Sequence, residues 1–269
     1  MRKIFIAFLL IVSKVAAQTT VSDSAQVHHD YQPNAWNFSL RTECYLTKGS
    51  YFFAEGLYKA SRTYYSTSEV FKEYLWVGYE QKASEKWYLG ISGRALKYAN
   101  EQSFIARINI SHRGHLGKIG FLKELSFDQI SMKNKQNYAR AGFTLGFYKA
   151  IPCGKLTVLP VLSYKAMEIF DLKNPNSFFK NRRIDLSRLR LDVYVYAKRN
   201  FYLGLYAMRE TDFYYALGYS VPDPLNPSVI LYSVPDYKVN RVTPVFGCSL
   251  NYILKPENNT ASIPGLPLR

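Results

Sequence analysis

Alternation of apolar and polar residues is the feature of this 269-residue chain that most constrains its fold. From about residue 34 to about residue 254 the dominant period is two, which is typical of strands whose two faces meet different surroundings. Near residue 190, for example, leucines and valines alternate with Arg188, Arg190 and Asp192. Turn-rich joins separate the alternating segments, and the pattern predicts about twelve strands, with a range of about ten to fourteen, and no helix.

The length of the predicted strands favours a barrel that crosses a membrane. Strands of globular proteins commonly have about five or six residues, whereas about ten alternating residues suit a tilted strand that crosses an apolar band of about 25 Å. Because hydrocarbon offers no hydrogen bonds, such a sheet must close and leave no edge. We therefore expect an all-β fold, an antiparallel transmembrane β-barrel. The alternative is a soluble secreted barrel or sandwich whose apolar face is its core, but strand length and the charged second face favour the membrane barrel.

The N-terminal segment has the pattern of a secretory signal peptide. Arg2 and Lys3 precede an apolar stretch at 4–12, and the short side chains of 15–17 offer a cleavage site. Charge, length and cleavage site agree, so we predict that residues 1–17 are removed after export.

The remaining segments divide the chain into a lead-in, a barrel and a tail. Residues 18–33 are polar without a strong period and are predicted to be an exposed lead-in. Residues 34–254 form the predicted barrel, and residues 255–269, with three prolines, form an irregular tail. Twelve strands that start at residue 34 place short joins such as 47–50 on the outer side, the reverse of the usual bacterial arrangement. Either one strand is missed or split, or the loops are atypical.

Four segments share a style of aromatic, alternating sequence: YFFAEGLYK at 51–59, LGISGR at 89–94, GFLKELSFDQI at 120–130 and RRIDLSRLRLDVYVY at 182–196. Together with the signal peptide, they resemble outer-membrane β-barrel proteins of the Bacteroidetes type, several families of which have no assigned function. The resemblance implies a Gram-negative outer membrane, export in an unfolded state, and the barrel-insertion machinery as a partner. It implies no substrate.

Charge and composition limit the partners and cofactors. The 35 Lys and Arg against 20 Asp and Glu give a net charge of +15. That charge is spread through strands and turns of an exported chain, so we expect no nucleic-acid partner and, at the rims, contact with the phosphates of outer-membrane lipids. Three scattered cysteines do not form a disulfide framework or a zinc site. Nucleotide-binding motifs are absent from the sequence, and we predict no cofactor and no metal.

The polar, inward face of the predicted barrel carries the candidate binding residues. They are assigned to it by alternation alone, with carboxylates expected to pair with arginines across the barrel. If these charges pair, the interior is largely occluded, and tyrosines help to fill it; if water fills it, the positive excess favours a small anionic solute. We favour the hypothesis that the interior is largely occluded. The residues are Arg41, Glu43, Glu55, Arg94, Arg107, Glu124, Asp128, Arg140, Arg188, Arg190 and Asp192.

His112 is the one weak candidate for catalysis. Alternation places it on the lipid-facing side near a strand end, where it is similar to the outward-facing histidine of outer-membrane phospholipases. Their pattern has a serine two residues after the histidine, whereas Gly114 stands there in this chain, and Ser111 points to the opposite face. The first expectation is therefore a non-enzymatic structural, binding or small-channel role. The alternative is a membrane-embedded lipid hydrolase or acyltransferase.

Overall fold

The computed structural model describes most of the chain between residues 27 and 255. The predicted signal peptide at 1–17 and the tail after residue 255 lie outside the described residues. The internal gaps in the description are 47–48, 64–65, 99–100, 134–136, 172–183, 199, 217–218, 223–225, 227–229 and 235–236.

Fifteen strands make up nearly all of the described residues. No helix there is long and apolar enough to cross a membrane. The strands are β1 (Val27–Tyr31), β2 (Ala35–Tyr45), β3 (Tyr51–Thr63), β4 (Ser66–Lys82), β5 (Trp87–Tyr98), β6 (Glu101–Leu116), β7 (Ile119–Met132), β8 (Tyr138–Tyr148), β9 (Ile151–Cys153), β10 (Leu156–Asp171), β11 (Leu186–Lys198), β12 (Phe201–Ala216), β13 (Tyr219–Pro222), β14 (Ile230–Val234) and β15 (Tyr237–Lys255).

Eleven of these strands close into a barrel. Their order is β2-β3-β4-β5-β6-β7-β8-β10-β11-β12-β15, and β15 then pairs with β2. The closing pair is parallel, with Val245 opposite Ala35 and Leu250 opposite Leu40; the pairs from β2 through β12 are antiparallel. The prediction of an all-β barrel is confirmed. The parallel closing pair follows from an odd number of strands, because the first and last strands then run in the same direction.

Two details differ from the pattern-based expectation. The alternation predicts a separate strand at 213–220, but the first of these residues end the 16-residue strand β12, and Tyr219–Pro222 form β13. Consecutive aromatics from Phe213 interrupt the alternation, which is why one continuous strand resembles two. β13 pairs with β14 in a separate two-stranded sheet, and β14 contains three residues of VILY at 229–232, a segment that the sequence indicates as a short extra strand. Val27–Tyr31, inside the predicted lead-in, form the exposed strand β1.

The odd strand number places the two ends of the barrel segment at opposite rims. One rim, here the turn rim, holds the ends of β2, β4, β6, β8, β11 and β15 and the starts of β3, β5, β7, β10 and β12. Gly117 and Gly154 lie there with φ of 62°, a backbone region that favours glycine in tight turns. The other rim, here the cavity rim, holds the starts of β2 and β15. With eleven strands instead of twelve, the two ends of the barrel segment do not share a rim, so they cannot both lie on the side of the short joins.

The barrel places apolar side chains outside and charged side chains inside. In the middle of the sheet, Leu125 is 59 % exposed and Ile108 is 58 % exposed. On the inward face Glu43 is 0 % and Asp128 1 % exposed. The alternation in the sequence thus corresponds to two faces of opposite polarity.

Candidate functional site

An aromatic layer, here the aromatic plug, fills the barrel interior next to the turn rim. Tyr196 and Tyr202 stack with ring centroids 4.7 Å apart, and Tyr45 stacks on Tyr51 at 5.2 Å. Tyr202 is fully buried. These rings and the aliphatic side chains around them pack against one another as in a protein core. The plug consists of Tyr45, Tyr51, Leu122, Tyr148, Leu159, Val161, Tyr194, Tyr202 and Ile253, with Phe53 and Tyr196 packed against it.

The first charged cluster, around Arg41, lies against this plug. The Nε of Arg41 donates a hydrogen bond to Oε1 of Glu43 at 2.8 Å, and its Nη1 lies 3.6 Å from Oε2 of Glu55. The hydroxyls of Tyr45 and Tyr202 each donate to Glu43 at 3.1 Å. These three hydrogen bonds to the carboxylate of Glu43 offset the free-energy cost of burying its charge.

The second charged cluster joins two arginines to Asp128. Arg107 donates from Nε to Oδ1 at 2.5 Å and from Nη2 to Oδ2 at 2.9 Å. Arg140 donates to Oδ2 of the same carboxylate at 2.9 and 2.5 Å. The register explains this cluster, because Arg107 and Arg140 lie directly opposite Asp128 on β6 and β8.

The third charged cluster lies on β11 and β12. Arg190 donates to both oxygens of Asp192, with Nε at 2.9 Å from each, and its guanidinium carbon lies 3.6 Å from the ring centroid of Tyr206. Arg188 donates from Nε to Oε2 of Glu210 at 2.6 Å, and Lys59 lies 3.7 Å from the other oxygen. The expected pairing of arginines with carboxylates therefore takes place. Most of these pairs run along a strand or between neighbouring strands, where the register provides partners, whereas Lys59 on β3 reaches Glu210 on β12, which is not a neighbouring strand.

Arg94 has no carboxylate partner among the described residues. Its guanidinium carbon lies 4.3 Å from the ring centroid of Trp76 and 4.8 Å from that of Tyr74. Stacking of this kind holds the guanidinium plane in place and leaves its edge donors available.

Glu124 is also placed inside, but in a row of buried polar groups that lack partners. Ser111, Glu124, Thr144 and Lys165 follow one another across β6, β7, β8 and β10 in register. Each of them has a buried side-chain oxygen or nitrogen without a hydrogen-bond partner. Such groups cost free energy unless water or a solute meets them.

A cavity of about 320 Å³, here the basic cavity, lies in the interior next to the cavity rim. Tyrosine rings, apolar side chains and many charged groups line it. The charged side chains of its lining are Lys59, Arg94, Lys97, Lys133, Arg140, Arg188, Arg190 and Glu210.

Several charged residues of this interior are not among the candidates predicted from the sequence. Glu210 and Lys59 complete the cluster with Arg188, and Lys165 lies opposite Arg188 in the register. Glu80 forms an ion pair with Arg113 near the turn rim. The signal that identifies them is the same alternation that assigned Arg188 and Asp128, extended to the ends of longer strands.

His112 lies on the outward face, as the alternation indicates. Its ring packs against Trp87 at 4.9 Å and Phe121 at 5.6 Å between centroids. Its Nδ1 is buried and has no hydrogen-bond partner, and Ser111 points into the interior. Ser111 and His112 therefore lie on opposite faces of β6, so this serine is not placed to act with this histidine.

No protein-family model matches the chain, and no curated protein matches it closely enough to be a relative. Within the described residues, no group of three or more His, Cys, Asp or Glu side chains could hold a metal ion. The interior of the barrel is therefore the part of the molecule that bears most directly on function.

Proposed function

We propose that this chain is an outer-membrane β-barrel of a Gram-negative bacterium, exported with residues 1–17 as a cleaved signal peptide. The inverted polarity of the barrel carries the proposal, because its ion pairs are inside and most of its leucines, isoleucines and phenylalanines are outside. A soluble protein does not leave so large a continuous apolar surface in water. A closed sheet with this polarity suits hydrocarbon.

The interior favours a binding or structural role over an open channel. The aromatic plug fills the turn-rim half, where Tyr51 and Tyr202 are buried, while the basic cavity lies in the other half. A path for solutes would have to cross the plug. The lipid hydrolase alternative has no support in the surroundings of His112. Outer-membrane lipids and the barrel-insertion machinery are the expected partners.

The two rims suggest an orientation. Bacterial barrels have short turns on the periplasmic side, so we propose that the turn rim faces the periplasm and the basic cavity faces outward. Cys153, which is exposed at the turn rim, tests this directly. A membrane-impermeant maleimide should leave Cys153 unlabelled in intact cells and should label it after the outer membrane is permeabilised. Lys133→Cys, at the cavity rim, should be labelled in intact cells, and the opposite pattern would reverse the orientation.

Expression in a Gram-negative host tests the proposal as a whole. The mature chain should begin at Gln18, fractionate with outer membranes and migrate differently on a gel before and after heating. In planar bilayers it should show no steady conductance. A cytosolic protein that begins at Met1 would contradict the location, and a stable open conductance would contradict the plugged interior.

A further inference from the structure

We propose that the basic cavity binds a small organic phosphate, an inference that rests on the proposed function because it needs the closed, plugged barrel. Seven of the eight charged side chains that line the cavity are cations, and Glu210 is the only carboxylate among those lining residues. Since like charges enclosed in about 320 Å³ repel one another, a cavity of this composition favours an anion.

The carboxylates within reach leave part of this charge unneutralised. Glu210 is shared by Arg188 and Lys59, Asp128 by Arg107 and Arg140, and Asp192 is held by Arg190. Three other lining cations make no ion pair among the described residues. They are Arg94, Lys97 and Lys133.

A buried lysine next to the cavity is an independent sign that polar groups of the interior lack hydrogen-bond partners. Lys165 lies opposite Arg188 in the register, is 3 % exposed, and its Nζ has no hydrogen-bond partner. Glu124, two strands away on the same row, also has a carboxylate oxygen without a partner. The buried Nζ of this lysine therefore lacks a hydrogen-bond partner in the interior beside Arg188, one of the lining arginines.

Phosphate suits this arrangement better than a monatomic anion. Guanidinium groups bind phosphate oxygens in bidentate geometry, and Arg94 lies over the ring of Trp76 with no carboxylate partner among the described residues. The rings of Tyr74, Tyr138 and Tyr206 also line the cavity, so that a sugar-sized organic group can pack beside the phosphate. The space corresponds to about ten waters at about 30 Å³ each. The phosphate can belong to a free metabolite or to a lipid headgroup, and the experiment separates these sources.

Calorimetry on the folded, full-length mature barrel tests the site with glucose 6-phosphate as the probe and glucose as the uncharged comparison. Glucose 6-phosphate should bind and glucose should not. Arg94→Gln should weaken binding about tenfold or more, the usual loss for a charged hydrogen-bond donor, and Arg94→Lys should recover part of it. The matched control is Arg209→Gln, which removes the same charge from an exposed residue on the outward face of β12 and should leave the affinity within about twofold.

A second variant keeps the test decisive if Arg94→Gln fails to fold. Lys97→Gln combined with Lys133→Gln removes two exposed cations from the lining and should weaken binding by a similar factor. Equal affinities of the wild type and the folded lining variants, or an equal loss in Arg209→Gln, would overturn the proposal. So would a barrel that inserts into membranes and binds no glucose 6-phosphate, and in that case the proposed function would stand. A chain that does not insert would instead overturn the proposed function.

Vesicles identify the source of the phosphate. The barrel is reconstituted in phosphatidylcholine alone or with phosphatidylglycerol, and glucose 6-phosphate is titrated into both. Weaker apparent binding in the anionic vesicles, with the difference removed by Arg94→Gln, assigns the site to a lipid phosphate. Equal binding in both assigns it to a free phosphate ester.

Discussion

The two halves of the barrel interior accommodate buried charged side chains in different ways. Near the turn rim, tyrosine rings and aliphatic side chains pack against one another, and Glu43 is held there by two tyrosine hydroxyls as well as by Arg41. Near the cavity rim, cations surround an open space, and Arg94 stacks on aromatic rings instead of meeting a carboxylate. The first half is filled by packed side chains, whereas the second leaves a cavity with a mostly cationic lining, where we propose that an anion binds.

This difference separates buried charges that stabilise the fold from buried charges that remain able to interact with water or a ligand. A charge whose partner lies opposite in the register, such as Arg107 with Asp128, is neutralised by the fold itself. A charge without such a partner, such as Arg94 or Lys165, is left for water or a ligand. Substitutions in the two halves should therefore affect different measurements.

The largest expected change in the free energy of unfolding comes from breaking an ion pair between the two halves. Asp128→Asn leaves Arg107 and Arg140 buried without their shared carboxylate, and should lower the free energy of unfolding by about 3–5 kcal/mol. Glu168→Gln, at an exposed outward position on β10, is the matched control and should change it by less than about 1 kcal/mol. Urea titration of the barrel folded into lipid vesicles measures both. Equal losses would mean that the inward charge network does not stabilise the barrel.

The next largest change in the free energy of unfolding is expected on the outward face, which both halves share. Leu125 and Leu116 are similarly exposed, at 59 % and 63 %, but Leu125 lies in the middle of β7 and Leu116 at the turn rim. Leu125→Arg should cost about 2–4 kcal/mol in a bilayer and Leu116→Arg about 0–1 kcal/mol. The same titration in vesicles measures this difference. A cost that does not depend on position would contradict a transmembrane band.

The sequence predicted the faces of the strands much better than the contacts of the interior. Alternation alone placed Arg41, Asp128 and Arg190 inside, because a strand's side chains alternate without regard to its neighbours. It could not indicate that Arg107 lies opposite Asp128, since register depends on pairing between distant segments.

The strand number and the plug were also beyond the reach of local pattern. Splitting β12 at its aromatic residues gave an even count, and only the pairing of β15 with β2 makes the closure parallel. Tyr202 lies 159 residues from Glu43 in the sequence, so no spacing rule connects them. Lys59 and Glu210 were not singled out for a similar reason, because 151 residues separate them in the sequence and only the closed barrel brings them together.

A smaller effect separates hydrogen bonding from packing in the plug. Tyr202→Phe keeps the ring but removes the hydroxyl that donates to Glu43, and should lower the free energy of unfolding by about 1.5–3 kcal/mol, the range for hydrogen bonds to charged groups. Tyr252→Phe, at an exposed outward tyrosine, should change it by less than about 0.5 kcal/mol. Conductance should stay absent in both variants, because the rings remain. A conductive Tyr202→Phe barrel would show that the hydroxyl network, not packing, closes this half.

The smallest expected effect on stability is at Lys59, in the cavity half. Its Nζ lies 3.7 Å from Glu210, a carboxylate that Arg188 already engages at 2.6 Å, so Lys59→Gln removes only the weaker of two partners. It should lower the free energy of unfolding by less than about 1 kcal/mol, whereas Arg188→Gln should lower it by about 1.5–3 kcal/mol. Because Lys59 lines the basic cavity, its loss should be felt more clearly in the affinity for glucose 6-phosphate than in urea titration. If Lys59→Gln instead destabilises the barrel as much as Arg188→Gln does, the cations of the cavity half are structural like those that hold Asp128, and the contrast between the two halves is wrong.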